Sequence, residues 1–282
     1  MKISEVFYSL QGEGVHTGVP SIFIRFFGCN LQCQGFGQAE PSNPSTWKQP
    51  WKDIDTKKIH MIEELPEDVY QYGCDSVYSW AAKFKGLQLE YDARALFDKI
   101  CSLVDWHDVI KGKIHLVFTG GEPLLWQNEI AEFIDTYVSD DTFITFETNG
   151  TLPLSEVLFA SLMNARGITF SVSPKLLHTS GEQAKRAIKP GAVATYNQYD
   201  KAWIQVYLKF VVNASPESLN ECLETIKLYD SRDIDGVYVM PEGPNKHRVN
   251  DNSQAVAEFA LKHQLRFTHR LHNILWDNKI GV

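Results

Sequence analysis

The sequence predicts a parallel α/β architecture, on three observations. Short β-rich apolar runs recur along the chain, at Ser21–Phe27, Ile114–Thr119, Phe143–Glu147, Ile168–Val172, Ile204–Val212, Val237–Met240 and Leu265–Thr268. Stretches with apolar residues at three-to-four spacing lie between them, at Ala93–Leu103, Asn128–Tyr137, Ser155–Met163, Pro216–Tyr229 and Asn252–His263. The two kinds of segment alternate, as parallel strands joined by crossover helices require.

Each element has a local reason. Ser21–Phe27 reads SIFIRFF and Ile204–Val212 reads IQVYLKFVV. Nearly continuous apolar runs of this length suit strands covered on both faces. Ala93–Leu103 repeats its apolar residues on one helical face. Ser215 before Pro216 forms a helix start, with a side-chain acceptor at the cap and a preset φ behind it. Six or seven such units would close a barrel or leave an open arc. One stretch breaks the rhythm: Gln34–Gly73 is polar and irregular, carries Pro41, Pro44, Pro50 and Pro66, and reads as an insertion. The chain is expected to be one domain over residues 1–282, with this insertion at about 34–73.

The 282 residues are 44% apolar and 22% charged, which excludes disordered, collagen-like and coiled-coil chains. No apolar run is long enough for a membrane span. The N-terminal MKISEVFYSLQGEG lacks the apolar core of a signal peptide, so a cytoplasmic protein is expected. A net charge of −8 disfavours a large nucleic-acid partner and suits a small-molecule substrate. Five cysteines, an odd count, argue against a disulfide framework and leave free, metal-bound or catalytic thiols.

Cys29 and Cys33 share one loop after a strand and can face one metal centre. A third ligand three residues on would complete an iron–sulfur site with one open iron, but that position is Phe36. Cys101 and Cys222 sit in helical patterns and read as packing residues. Cys74 is the one spare thiol outside a helix. Further along, Thr119-Gly120-Gly121-Glu122-Pro123 ends a strand. Its glycines let backbone approach a ligand, and Glu122 can bind an amine.

The strand-end Cys-x-x-x-Cys followed by Gly-Gly-Glu resembles the radical S-adenosylmethionine (SAM) superfamily. Leu10-Gln11-Gly12-Glu13-Gly14, Gly18-Val19-Pro20-Ser21-Ile22-Phe23-Ile24-Arg25, Glu147-Thr148-Asn149-Gly150-Thr151, Ser171-Val172-Ser173-Pro174-Lys175 and Val239-Met240-Pro241-Glu242-Gly243 narrow this. In that order they resemble the 7-carboxy-7-deazaguanine synthase family over nearly the whole chain. The family pattern reads Cys-x-x-x-Cys-x-x-Cys followed by Asp-Thr-x-His-Thr-Trp. Here Cys74-Asp75-Ser76-Val77-Tyr78-Ser79-Trp80 matches that tail. The resemblance therefore implies an insertion between the second and third cluster cysteines.

The resemblance implies a partial (β/α) barrel of the radical SAM type, with its site at the C-terminal strand ends. It places a [4Fe–4S] cluster on Cys29, Cys33 and Cys74, and magnesium on Ser76. It places SAM against Gly121, Glu122, Thr148, Asn149, Ser173, Pro174 and Lys175. The substrate, 6-carboxy-5,6,7,8-tetrahydropterin, would meet Leu10, Gln11, Gly12, Glu13, Arg25, Thr119 and the terminal Val282. Arg25 interrupts an apolar strand, so its guanidinium is expected to hold either the substrate carboxylate or a structural ion pair. The implied reaction is a radical ring contraction to 7-carboxy-7-deazaguanine with loss of ammonia, leading towards queuosine-type 7-deazapurines. An external flavodoxin- or ferredoxin-type donor would supply the electron. A homodimer is expected, with no nucleic-acid or membrane partner. His115 and His263 are assigned no role. Two other readings compete: a radical SAM activase for a glycyl-radical protein, and an inactive binding protein on the same scaffold. Convergence of the three thiols discriminates against the latter.

Overall fold

The computed structural model describes residues 1–197, 203–277 and 279–281. In chain order its elements are β1 (Lys2–Leu10), β2 (Pro20–Phe26), β3 (Leu89–Glu90), α1 (Ala93–Cys101), α2 (Trp106–Ile110), β4 (His115–Gly120), α3 (Gln127–Tyr137), β5 (Phe143–Thr148), α4 (Glu156–Leu162), β6 (Gly167–Val172), α5 (Leu177–Ser180), α6 (Ala184–Ala187), α7 (Pro190–Ala194), β7 (Ile204–Val212), α8 (Pro216–Ile226), β8 (Gly236–Pro241), α9 (Lys246–His263), β9 (Arg266–Phe267) and α10 (Leu271–Trp276). The strands form one nine-stranded sheet in the order β3-β1-β2-β4-β5-β6-β7-β8-β9. From β2 onward every pairing is parallel, and each crossover carries helix. The sheet does not close among the described residues, so the fold is the partial (β/α) barrel that was expected. No described helix is long and apolar enough to cross a membrane.

Two strands depart from the parallel expectation. β1 pairs antiparallel with β2 and also with β3. The β1 sequence KISEVFYSL carries Ser4 and Glu5 among its apolar residues, which hid it as a strand. Helix boundaries follow local capping. Asp92, Ser155 and Ser215 each accept a backbone N–H of the first turn. Asn245 caps α9 in the same way, which starts that helix six residues earlier than its apolar pattern suggests.

The strands are not apolar on both faces. One alternating set packs under the helices: Ile22, Ile24 and Phe26, then Leu116 and Phe118, Ile144 and Phe146, Ile168 and Phe170, and Val206, Leu208 and Phe210. The other set lines the concave interior with Arg25, Thr119, Glu147, Ser171 and Lys209. The two-residue alternation of a strand was present within the apolar runs, but aromatic and β-branched neighbours masked it.

The segment after Cys33 contains short 3₁₀ turns and neither α-helix nor strand until β3. It is nonetheless packed. Ile62, Leu65, Val69, Tyr70, Val77, Tyr78, Ala81 and Phe84 form a second small core, with Trp51, Ile54 and Ile280 against it. This core sits over the end of the sheet that carries the site.

Candidate active site

A cavity of about 280 Å³ lies at the C-terminal ends of the strands. Arg25 of β2, Thr119 and Gly120 of β4, Glu147 and Thr148 of β5, Ser171 of β6, Lys209 and Val211 of β7 and Met240 of β8 all line it. These residues lie towards the ends of their strands, where ligand sites in α/β folds gather.

Cys29, Cys33 and Cys74 meet on one wall of this cavity. They pack together around Leu31, Phe36, Ala187 and Ile188. Burial pushes the Cys29 thiol up to about 12 and Cys74 up to about 11, and raises Cys33 as well. Lys175 acts in the opposite direction on all three. Such thiols stay protonated until a metal displaces the proton. The backbone N–H of Leu31 points at Cys29 Sγ at 3.4 Å, and Asn149 Nδ2 lies 3.8 Å from it. Glu182 Oε1 accepts the N–H groups of Gln32 and Cys33 at 2.7 and 2.9 Å. That anchors Cys33, whose φ of 50° is in the left-handed region. Among the described residues no three Cys, His, Asp or Glu side chains converge as a single-ion site requires. A four-iron cluster puts each cysteine on a different iron, so its thiolates spread more widely. Three shielded thiols on one cavity wall, with N–H donors beside them, fit such a group.

Gly120 and Gly121 are required where they stand. Gly120 has φ +125°, and a Cβ there would fall 2.3 Å from the Phe26 carbonyl oxygen. A Cβ on Gly121 would fall 2.1 Å from the Gly28 carbonyl oxygen and 3.0 Å from Cys29 Cβ. The glycine pair thus lets β4 pass directly behind the cysteine loop.

Glu122 differs from its expected role. It is fully buried and does not line the cavity. Oε1 accepts the Thr148 hydroxyl at 2.7 Å and the Leu124 N–H at 3.1 Å, while Oε2 accepts the Asn149 N–H at 2.8 Å. It therefore clips the end of β5 to the end of β4 and holds Thr148 and Asn149 at the cavity. Burial raises its pKa against these hydrogen bonds. Pro174 is also off the wall, whereas its neighbours Ser173 and Lys175 are on it. Lys175 Nζ donates to Ser173 Oγ at 2.9 Å, and no described carboxylate pairs with it.

The other wall is charged. Leu10, Gln11, Gly12 and Glu13 all line the cavity. Gln11 Nε2 and the Thr119 hydroxyl donate to the two oxygens of Glu147 at 3.1 and 2.8 Å. Glu13 takes Lys209 on one oxygen and Arg270 Nε, at 3.1 Å, on the other. Arg270 also reaches Asp75 at 2.6 Å, which ties the start of α10 to the loop of Cys74. Burial pushes Glu13 up, but Lys209, Arg270 and His272 outweigh it and hold the carboxyl well below its usual range. Asp75 is lowered in the same way, burial being outweighed by Arg270.

Arg25 lines the cavity but already has a partner. Its Nε donates to Glu5 Oε1 at 2.6 Å, across the β1–β2 pairing in which the two residues face each other. Its Nη1 donates to Ser76 Oγ at 3.2 Å. The structural ion pair is therefore present, whatever else the guanidinium meets. Ser76 also lies 3.3 Å from Asp75 Oδ1. Val282 lies outside the described residues.

Sequence reasoning gave no site role to Glu5, Tyr70, Asp75, Tyr78, Lys209, Arg270 or His272, all of which line the cavity. Lys209 carried a usable signal, being charged inside an apolar strand as Arg25 is.

No protein-family profile matches the chain. It is 29% identical to the 7-carboxy-7-deazaguanine synthase of Halobacterium salinarum, across 99% of this chain and 91% of that one. It is 27% identical to the synthase of Pyrobaculum aerophilum, across 100% and 97%. Among solved structures, QueE from Escherichia coli shares the fold with a TM-score of 0.51 and 19% identity, covering 96% of this chain and 94% of that one. This end-to-end likeness is to 7-carboxy-7-deazaguanine synthases, the family that the chain's motifs resemble.

Proposed function

We propose that this chain is a radical SAM lyase that converts 6-carboxy-5,6,7,8-tetrahydropterin to 7-carboxy-7-deazaguanine with loss of ammonia. One observation carries the reading: Cys74, far from Cys29 and Cys33 in sequence, lies with them on the wall of the cavity that the family's other motif residues also line. Neither a glycyl-radical activase nor an inactive scaffold is favoured by these relatives or by that convergence.

Cys29, Cys33 and Cys74 would hold the [4Fe–4S] cluster, and the backbone of Gly120 and Gly121 would admit SAM beside it. When bound, the cluster and SAM supply the radical that starts the reaction. The chain's own part is to bind, orient and exclude water. Lys175 offers a positive charge next to the thiols for an anionic group of SAM. Thr148 and Asn149, held by Glu122, present polar atoms from the end of β5. Gln11 and Thr119, both bound to Glu147, fix the opposite side of the cavity, and Glu13 lies beside them. The paired charges Glu13–Lys209–Arg270–Asp75 hold that wall rigid without leaving a net unpaired charge. Such preorganised polar walls orient a substrate without reorganising during the reaction.

The residues at Ser76 do not by themselves fit magnesium. The Arg25 guanidinium lies 3.2 Å from the hydroxyl, and the neighbouring Asp75 is taken by Arg270. Hard cations of this kind use carboxylates and waters.

The test is an anaerobic assay of reconstituted protein with SAM, 6-carboxytetrahydropterin and dithionite in place of a flavodoxin- or ferredoxin-type donor. Mass spectrometry should detect 7-carboxy-7-deazaguanine, and Cys74→Ala run in parallel should give none and hold less iron. SAM cleavage without this product would reject the substrate. A cluster-free parent would reject the enzyme class.

A further inference from the structure

Among the described residues lining the cavity, Glu5, Tyr70, Trp80 and Asn273 each carry a buried side-chain polar atom without a hydrogen-bond partner, and Glu5 and Tyr70 lie outside the family motifs. Glu5 Oε1 accepts Arg25 Nε at 2.6 Å and the Tyr78 hydroxyl at 2.6 Å, but Glu5 Oε2 is buried and bonded to nothing described. Tyr70 is 2% exposed, and its hydroxyl is likewise buried without a partner. Tyr70 comes from the segment between Cys33 and Cys74. Its ring stands edge-on to Tyr78, with centroids 5.8 Å apart. Tyr78 links the two groups, its ring against Tyr70 and its hydroxyl on Glu5, and both residues line the cavity. Phe7 and Phe23, stacked at 4.9 Å, line the same cavity.

A buried hydroxyl and a buried carboxylate oxygen are seldom left unbonded unless a ligand or water completes them. The corner is not an anion hole, because Arg25 is already neutralised by Glu5, and a ligand carboxylate would meet Glu5 Oε2. Its chemistry is one acceptor beside one hydroxyl, against aromatic walls. That suits the edge of a flat heterocycle with adjacent N–H and carbonyl or ring-nitrogen groups.

We infer that Glu5 and Tyr70 form a corner that reads a donor–acceptor edge of the substrate's ring. A ligand N–H donates to Glu5 Oε2, and the Tyr70 hydroxyl donates to the adjacent ligand acceptor. This rests on the proposed reading that the cavity takes a pterin. It adds a substrate-contacting residue from the segment between the second and third cysteines, which then closes the substrate side of the cavity as well as carrying Cys74 into place.

Fluorescence titration of the reconstituted, SAM-loaded protein with 6-carboxypterin and with unsubstituted pterin tests it. Tyr70→Phe keeps the ring that packs on Tyr78 and removes only the hydroxyl. The dissociation constants of both probes should rise about five- to tenfold in the variant, the effect of losing one hydrogen bond. Iron content, cluster absorbance and SAM affinity should match the parent. Equal affinities in parent and variant would overturn the inference and leave the proposed function standing. A loss confined to 6-carboxypterin, or a parent that does not bind unsubstituted pterin, would overturn the ring-edge assignment and make the corner a carboxylate site. Altered iron or SAM binding would reduce Tyr70 to a structural residue. A SAM-binding parent that takes neither probe would overturn the pterin reading and this inference with it.

Discussion

Glu122 shows how one side chain can serve a site from behind. Both of its oxygens are used inside the protein, on Thr148, Leu124 and Asn149. An amide in its place has one acceptor oxygen and turns an NH₂ towards an N–H donor. Glu122→Gln should therefore destabilise the SAM-free chain by about 1–3 kcal/mol, the effect of leaving a buried donor unbonded. A chemical-denaturation curve without SAM measures this. An unchanged curve would mean that the carboxylate serves a ligand and not the fold. Gly-Gly-Glu was legible as a motif, but the direction of the carboxylate was not. It depends on where the end of β5 lies, and Thr148 and Asn149 are far from Glu122 in sequence.

At the scale of elements, the segment between Cys33 and β3 has no regular periodicity and no regular structure beyond 3₁₀ turns. It holds its shape through its own small core, in which Phe84 is fully buried. Phe84→Ala should cost about 3–5 kcal/mol of that core's stability. Because Tyr70, Tyr78 and the loop of Cys74 share or adjoin this core, the variant should also retain less iron than the parent. Hydrogen exchange over the segment, read beside an iron assay, checks both. Protection at parental levels would show that the cover is held from the barrel and not from within. The sequence reads Gln34–Gly73 within this segment as an insertion. Its core escaped notice because Pro66 and the charged residues around it interrupt the three-to-four spacing of Ile62, Leu65 and Val69, which lie in or beside 3₁₀ turns and in no α-helix.

At the scale of the whole molecule, the interior of the barrel away from the site is polar and carries a histidine pair. His115 of β4 stacks on Phe143 at 4.8 Å and meets His16 edge-on at 4.9 Å, and His16 Nε2 bonds the Thr169 hydroxyl at 3.0 Å. Burial, then His16, lowers His115 to about 4, and burial lowers His16 as well. Both rings are neutral in the folded chain and titrate near 6.5 when it unfolds. The unfolded chain therefore binds more protons between those values. Stability is complete above about pH 6.5 and declines as pH falls towards 4. The denaturation midpoint should drop steadily between pH 7 and 5, and His115→Phe should flatten that slope. A midpoint independent of pH over this interval would show that the pair takes up its protons while folded.

The alternation of strands and helices, the Ser215–Pro216 helix start, the Cys29–Cys33 pair and the glycine pair were determined by sequence alone. Each depends on residues a few positions apart, and local periodicity, capping and turn chemistry act over that range. Arg25 was legible too, as a charge inside an apolar strand read first as a substrate contact, with a structural ion pair as the alternative. Tertiary structure decided between such alternatives. The antiparallel register of β1 and β2 put Glu5 opposite Arg25. Curvature of the sheet turned one alternating set of strand residues into a charged interior. Folding of the long segment brought Cys74 to Cys29 and Cys33, and brought Tyr78, on which Tyr70 packs, to Glu5. These contacts join residues remote in the chain, and the burial that makes a charge costly or a thiol neutral exists only once the surrounding elements have packed.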